Sequence, residues 1–114
     1  MKHVTFAERS LFMDDEAADC LLEYACLLAD SSAADAVTVR AISPDGNTID
    51  AAFLLNASSV LMVESTNSSV PVPESREAVA YMRRRIRQFL HPTPLRVRSA
   101  VADVEMDFDV MDAG

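Results

Sequence analysis

The sequence has 114 residues, of which half are apolar and a quarter are charged, with two glycines and five prolines. This composition is typical of a folded domain and excludes collagen-like and low-complexity chains. We expect one domain over residues 1–114, in which residues 99–114 form an acidic carboxy-terminal strand or tail. The formal net charge of −8 disfavours binding to nucleic acids and to anionic membranes, because both are polyanions.

No apolar run near the amino terminus is long enough for a signal peptide, and none approaches the roughly 20 residues of a membrane-spanning helix. We therefore expect a cytoplasmic protein without a membrane partner. Cys20 and Cys26 lie six residues apart in a predicted helix, on different sides of it, so they cannot form a disulfide with each other. We interpret both as small buried side chains, with a reactive thiol or metal ligand as the alternative.

Residues 2–13 mix β-branched, aromatic and polar side chains, which predicts an amino-terminal strand. Asp14 or Asp15 is a suitable N-cap for a helix that ends near Asp30. The apolar arc of this helix lies opposite an acidic stripe, and it contains Ala18, Leu21, Leu22, Tyr24, Ala25, Leu28 and Ala29. Leu27 falls within the acidic stripe, so it is either simply exposed or a contact for a second partner.

Two β-rich runs, residues 35–42 and 48–55, flank a turn-forming segment over residues 43–47 and predict a hairpin. The register that pairs Val37 with Phe53 also pairs Arg40 with Asp50, and it separates buried from exposed positions. We expect the helix-covered face to contain Val37, Val39, Ala41, Ile49, Ala51 and Phe53. Residues 60–65 are predicted as a third strand of the same meander.

The second face of this sheet also carries apolar side chains, namely Ala36, Leu54 and Met62. Such a face should be covered by something. A second helix is predicted from Pro73 to about Leu90, before Pro92 and Pro94. Its apolar stripe contains Ala78, Val79, Met82, Ile86, Phe89 and Leu90, and its opposite side carries Arg76, Arg83, Arg84 and Arg87.

The carboxy-terminal residues alternate between apolar and acidic types. The apolar positions are Ala102, Val104, Met106, Phe108 and Val110, and the acidic positions are Asp103, Glu105, Asp107 and Asp109. Residues 73–98 contain seven basic and two acidic side chains, whereas residues 99–114 contain five acidic and no basic ones. The acids after the helix are therefore the obvious local counter-charges for its arginines.

Motifs for nucleotide loops, zinc proteases, EF-hands and serine hydrolases are absent from the sequence, and two glycines are too few for a phosphate-binding loop. We predict no cofactor and no metal site. The acids Asp14, Asp15, Glu16 and Asp19 are interpreted as stabilising a helix amino terminus rather than holding a cation. His3 and His91 are interpreted as surface histidines, although His3 could form an acid–base pair in space.

These patterns predict an α+β fold with a mostly antiparallel sheet, in the order β-α-β-β-β-α-β and with two helices on one face. The corresponding function is a small acidic interaction or regulatory protein, non-catalytic and homodimeric, that binds a protein partner by surface recognition. The alternatives are a small enzyme that uses His3 or a cysteine, and a nucleic-acid binder that uses the arginine-rich second helix. We expect a dimer interface of at least about 1,200 Å². This interface should contain the carboxy-terminal strand or the second face of the sheet. The candidate interaction residues of the chain are Leu27, Arg83, Arg84, Arg87, Val104, Met106, Phe108 and Val110.

Net charge makes one direct prediction about nucleic acids. We expect no appreciable binding of DNA or RNA near physiological salt, because the arginines belong to an acidic chain. Fluorescence anisotropy with labelled duplexes and single strands measures this. A dissociation constant tighter than about 1 μM that weakens steeply as salt rises would contradict the prediction.

Overall fold

A computed structural model describes residues 1–91, which form a five-stranded antiparallel sheet and two helices. The strands are β1 (Lys2–Phe6), β2 (Arg9–Met13), β3 (Asp35–Ile42), β4 (Thr48–Leu55) and β5 (Leu61–Ser65), and the helices are α1 (Asp15–Asp30) and α2 (Arg76–Leu90). The strand order in the sheet is β4-β3-β2-β1-β5. This architecture confirms the α+β class. The predicted carboxy-terminal strand, with Val104, Met106, Phe108 and Val110, lies outside the described residues.

The amino-terminal segment, predicted as one strand, is a hairpin in the structure. Strands β1 and β2 pair over their whole length, from Lys2 with Met13 to Phe6 with Arg9. Ala7 begins the two-residue turn with a φ of 56°, a conformation usually left to glycine or asparagine. The element order of residues 1–91 is therefore β-β-α-β-β-β-α.

The predicted β3–β4 hairpin has the predicted register, with Val37 opposite Phe53 and Arg40 opposite Asp50. Gly46 in the connecting turn has a φ of 90°, a backbone conformation that L side chains rarely adopt. The prediction that residues 60–65 extend this meander is wrong, because β5 pairs with β1 at the opposite edge of the sheet. The backbone N–H of Ala7 donates to the carbonyl of Val60 at 2.8 Å and extends the pairing of β1 with this segment.

Helix α1 begins where the sequence predicts, because the Asp14 carboxylate accepts a hydrogen bond from the N–H of Ala17 at 3.0 Å. Three side chains differ from their predicted environments. Leu27 is half-buried and packs against the core, so it is not an exposed contact in the acidic stripe. Leu22 is 44% exposed despite its predicted place in the apolar arc, and Cys26 is exposed, whereas Cys20 is buried as predicted.

Helix α2 begins at Arg76 and not at Pro73, because Ser75 is held by strand β3. The Ser75 hydroxyl accepts from the N–H of Arg40 at 3.0 Å and donates to the carbonyl of the same residue at 3.2 Å. Strand β2 pairs with β3 only at Phe12 and Ile42. Ser75 therefore satisfies a stretch of the β3 edge that β2 does not reach.

The core lies between the two helices and one face of the sheet. Its fully buried side chains come from both layers and include Val4, Met13, Leu21, Tyr24, Leu28, Val39, Leu55 and Met82. In the second helix Val79, Met82 and Ile86 are buried as predicted, but Leu90 is 53% exposed. Neither helix among residues 1–91 is long and apolar enough to cross a membrane.

The buried ring of Phe53 supports a stability prediction. Phe53 is 4% exposed, and its ring packs edge-on against Phe6 with centroids 5.3 Å apart. Phe53→Ala should lower the free energy of unfolding by about 3–5 kcal/mol, because it removes buried apolar surface and leaves a cavity. Urea unfolding followed by circular dichroism measures the change, with Val70→Ala, at an exposed position outside the sheet, as control. A loss below about 1 kcal/mol would show that Phe53 is not a core residue.

Candidate functional site

The sheet face turned away from the helices is the principal candidate for a functional surface. We call it the open face. Because paired residues in antiparallel strands lie on the same face, the registers define a row that crosses all five strands. This row consists of Glu64, His3, Phe12, Ile42 and Thr48. Among residues 1–91, the core residues of both helices pack on the opposite face, and only the amino-terminal part of α2 borders the open face, beside Thr38 and Arg40.

Apolar side chains occur across the open face, with Phe12 and Ile42 at its centre and Met62 and Leu54 on its two edge strands. Phe12 and Ile42 are neighbours on β2 and β3 and are half-buried. Met62 on β5 is 49% exposed, and Leu54 on β4 is 59% exposed. The ring of His3 lies against that of Phe12, with centroids 5.0 Å apart and an angle of 31° between the ring planes. Single exposed apolar residues are ordinary on protein surfaces, but several on one sheet face indicate a binding surface.

The polar side chains of the open face occur in pairs of a nitrogen-bearing group and a carboxylate. His3 Nδ1 lies 2.8 Å from Glu64 Oε1, and Arg40 Nε lies 3.3 Å from Asp50 Oδ1. Both pairs are largely exposed, so each contributes about 1 kcal/mol or less to stability. These pairs present hydrogen-bond donors and acceptors beside the apolar centre, so they favour a partner that binds in one matching orientation.

The sheet separates His3 from the two cysteines, the groups named in the enzyme alternative. His3 lies on the open face of β1, whereas Cys20 and Cys26 belong to α1, which packs on the opposite face. Burial raises the pKa of the Cys20 thiol, which disfavours the nucleophilic thiolate form. The structure therefore does not combine His3 with either cysteine in one site.

The acidic cluster at the start of α1 is occupied by cations of the chain itself. Asp19 binds Lys2 Nζ at 2.7 Å, Asp15 binds the terminal amine at 3.2 Å, and Glu16 binds Arg83 at 2.5 Å. Asp14 caps the helix. Within residues 1–91 no group of three or more His, Cys, Asp and Glu side chains is arranged to hold a metal ion.

The arginines of α2 occupy different environments. Arg83 pairs with Glu16, Arg84 lies over the ring of Tyr81 at 5.5 Å, and Arg87 lines an open groove of about 550 Å³ between the helices. The groove wall contributed by α1 is acidic, and its lining residues are Asp15, Glu16, Asp19, Cys20 and Glu23. Leu27 does not line this groove, so the structure does not join it to the arginines as one surface.

A hydrogen-bonded cluster around Asp35 connects both helices to the first residue of β3. Asp35 Oδ2 accepts hydrogen bonds from the hydroxyls of Tyr24, at 2.5 Å, and of Tyr81. Arg85 Nε in turn donates to the Tyr24 hydroxyl at 3.1 Å. Sequence reasoning missed this cluster, because its members are 11 and 46 residues from Asp35. The available signal was an acid at the first position of the strand face that then continues with Val37, Val39 and Ala41.

The cluster changes the proton affinities of its members. Burial alone would raise the pKa of Asp35, but the hydrogen bonds from Tyr24 and Tyr81 outweigh it and lower this pKa. Burial, together with the bond to the Asp35 carboxylate, raises the pKa of Tyr24 to about 12. At neutral pH the carboxylate is therefore ionised, and both phenols are protonated and donate hydrogen bonds to it. We call this arrangement of Asp35, Tyr24 and Tyr81 the Asp35 joint.

Removing the shared acceptor should weaken the fold in a pH-dependent manner. Asp35→Ala should lower the free energy of unfolding by about 2–3 kcal/mol at pH 7, because the buried Tyr24 hydroxyl loses its partner. The folded pKa of Asp35 is lowered, so its ionised form stabilises the protein above the unfolded pKa of about 4, and this contribution is lost as the pH falls further. Urea unfolding at pH 7 and at about pH 3 should show the difference from wild type shrinking at low pH.

Asp50→Ala is the matched control for this experiment, since it removes an aspartate from an exposed pair on the adjacent strand. It should cost about 1 kcal/mol or less. Equal losses for Asp35→Ala and Asp50→Ala, or a loss for Asp35→Ala that does not depend on pH, would contradict the proposed role of the joint.

Comparison with known proteins adds no relative to this description. No protein-family model matches the chain, and neither the curated proteins nor the solved structures contain a significant match. The functional conclusion therefore depends on the geometry alone.

Proposed function

We propose that the chain is a small acidic interaction protein that acts by surface recognition, without catalysis, and that its open face binds a second copy of the same chain. The observation that carries this proposal is the set of exposed or half-buried apolar side chains on the open face, with Phe12 and Ile42 adjacent at its centre and Met62 and Leu54 on its two edge strands. Two such faces pressed together remove this apolar surface from water.

Charge favours a second copy as the occupant of the face. The chain carries a net charge of −8, so two copies repel each other through most of their surfaces. On the open face, however, Arg40 is paired with Asp50 and His3 is paired with Glu64. A twofold arrangement places the same mixed set of charges on both sides, so that donors of one copy can meet acceptors of the other.

The size of the open face is adequate for a modest dimer. Two strands have eight residues and three have five, so five strands spaced about 4.8 Å apart outline roughly 500 Å². A pair of such faces corresponds to about 1,000 Å², where specific interfaces begin. Side chains that project from the sheet increase the buried area beyond this flat estimate.

The free thiols favour a reducing compartment. Cys26 is exposed, and neither Cys20 nor Cys26 forms a disulfide. An exposed thiol is best kept reduced in the cytoplasm. The proposal therefore places the dimer there.

Charge substitutions on exposed residues test the dimer without disturbing the core. In sedimentation velocity at tens of micromolar, the wild type should show twice the monomer mass. Met62→Glu and Leu54→Glu should weaken association by about tenfold or more, because each buries an unpaired carboxylate in the interface. Both side chains are about half exposed, so folding should be unaffected.

Val70→Glu is the matched control, because Val70 is 56% exposed and lies in the connection between β5 and α2, outside the sheet. It adds the same charge and should leave the dimer intact. A wild type that remains monomeric at about 100 μM would overturn the proposal. Equal weakening by Val70→Glu would show that net charge, and not the open face, controls association.

A further inference from the structure

Helix α2 presents a positive surface that the described residues neutralise only in part, since Arg76 pairs with Glu74 and Arg83 pairs with Glu16. We call this surface, formed by Arg76, Arg83, Arg84 and Arg87, the arginine face. At 100° per residue these four side chains span about 100° of the helix surface, and all four are exposed. Within residues 1–91, Arg84 and Arg87 form no ion pair with a carboxylate.

The chain itself contains a segment of complementary charge and spacing. Residues 103–109 place an acid at every second position, and residues 99–114 carry no basic side chain. In an extended chain such acids recur about every 6.8 Å. Arginines three or four residues apart on a helix are about 5–6 Å apart, so long side chains can match the two series.

The position of α2 at the end of the described chain makes the contact accessible. Helix α2 ends at Leu90, and Arg84 and Arg87 lie within about 9 Å of that end along the helix axis. Asp103 lies twelve residues after His91, and twelve extended residues span up to about 40 Å. The acidic segment can therefore return along the helix.

We propose that the arginine face binds the acidic carboxy-terminal segment of its own chain, residues 103–109, mainly through Arg84 and Arg87. A tethered segment is present at an effective concentration in the millimolar range, which favours it over a free acidic ligand. The acids of α1 border the face on the side of Arg83 and Arg87, so the segment approaches from the side of Arg84. Occupation of the arginine face also gives a local reason why nucleic acids should not bind there.

Zero-length cross-linking tests this contact in the full chain. A carbodiimide joins a lysine amine to a carboxylate only when the two are in direct contact, and Lys2 is the only lysine of the sequence. Arg84→Lys and Arg87→Lys keep the charge and add one amine each to the arginine face. Trypsin releases residues 99–114 as one peptide after Arg98, so mass spectrometry identifies any link to the acidic segment.

Two controls define the background. The Lys2–Asp19 pair, with its 2.7 Å contact, should be linked in every variant and shows that the reaction works. Arg9→Lys adds an exposed amine on β2, outside the arginine face. Links from the arginine face to residues 99–114 should exceed those of Arg9→Lys by at least about fivefold and should fall severalfold in 1 M salt.

A mixture of ¹⁵N-labelled and unlabelled chains identifies the source of the segment. The proposal predicts links within one isotopic species, with or without the dimer. Links found mainly between the two species would overturn binding within the chain. The absence of any link above the Arg9→Lys background, while Lys2 and Asp19 are linked, would overturn the site itself. Neither result bears on the open face, so the dimer proposal is tested separately.

Discussion

The Asp35 carboxylate accepts hydrogen bonds from tyrosines of both helices, and this joint holds α1 and α2 on the same side of the sheet. Apolar burial supplies most of the stabilisation, at about 1.5–3 kcal/mol for each large side chain. Burial is not directional, however, whereas two phenols that share one carboxylate oxygen fix the helices relative to the start of β3. The Ser75 hydroxyl fixes the other end of α2 on Arg40 of the same strand.

Because the core residues of both helices lie on one face, the centre of the other face, at Phe12 and Ile42, has no helix over it within residues 1–91. Exposure of its apolar centre, Phe12 and Ile42, to water is unfavourable in free energy, and a partner that covers these side chains removes this penalty. The charge distribution limits which partner is suitable. An acidic surface repels nucleic acids and most other contacts with a second copy, and the mixed charges of the open face provide the exception.

The parts of the fold that depend on local patterns could be predicted from the sequence. The Asp14 cap, the β3–β4 register and the apolar stripe of α2 each follow from neighbouring residues or from a regular period. The β1–β2 hairpin could not be predicted in this way, because its turn contains Ala7 with a positive φ and no glycine or asparagine. The place of β5 beside β1 is a choice between two sheet edges, which strand periodicity does not determine.

The candidate site shows the same division. The predicted register of β3 with β4 places Leu54 on the second face, and the need for a cover follows from it. Residues 60–63 are all apolar, so alternation does not decide the face of Met62. The row from Glu64 through His3 to Phe12 depends on pairings of β1 with two distant strands, and the Asp35 joint depends on where the helices pack. Such contacts arise from tertiary structure and leave little trace in the local sequence.

The most direct test of an open face shared by two copies is the oxidation rate of its methionine. Met62 is 49% exposed, whereas Met13 and Met82 are fully buried and serve as internal references. Hydrogen peroxide converts accessible methionine to the sulfoxide, and mass spectrometry follows each position separately. Oxidation of Met62 should slow by at least about fivefold between submicromolar and about 100 μM protein, as mass action fills the dimer. An unchanged rate of Met62 oxidation over this range would contradict the account.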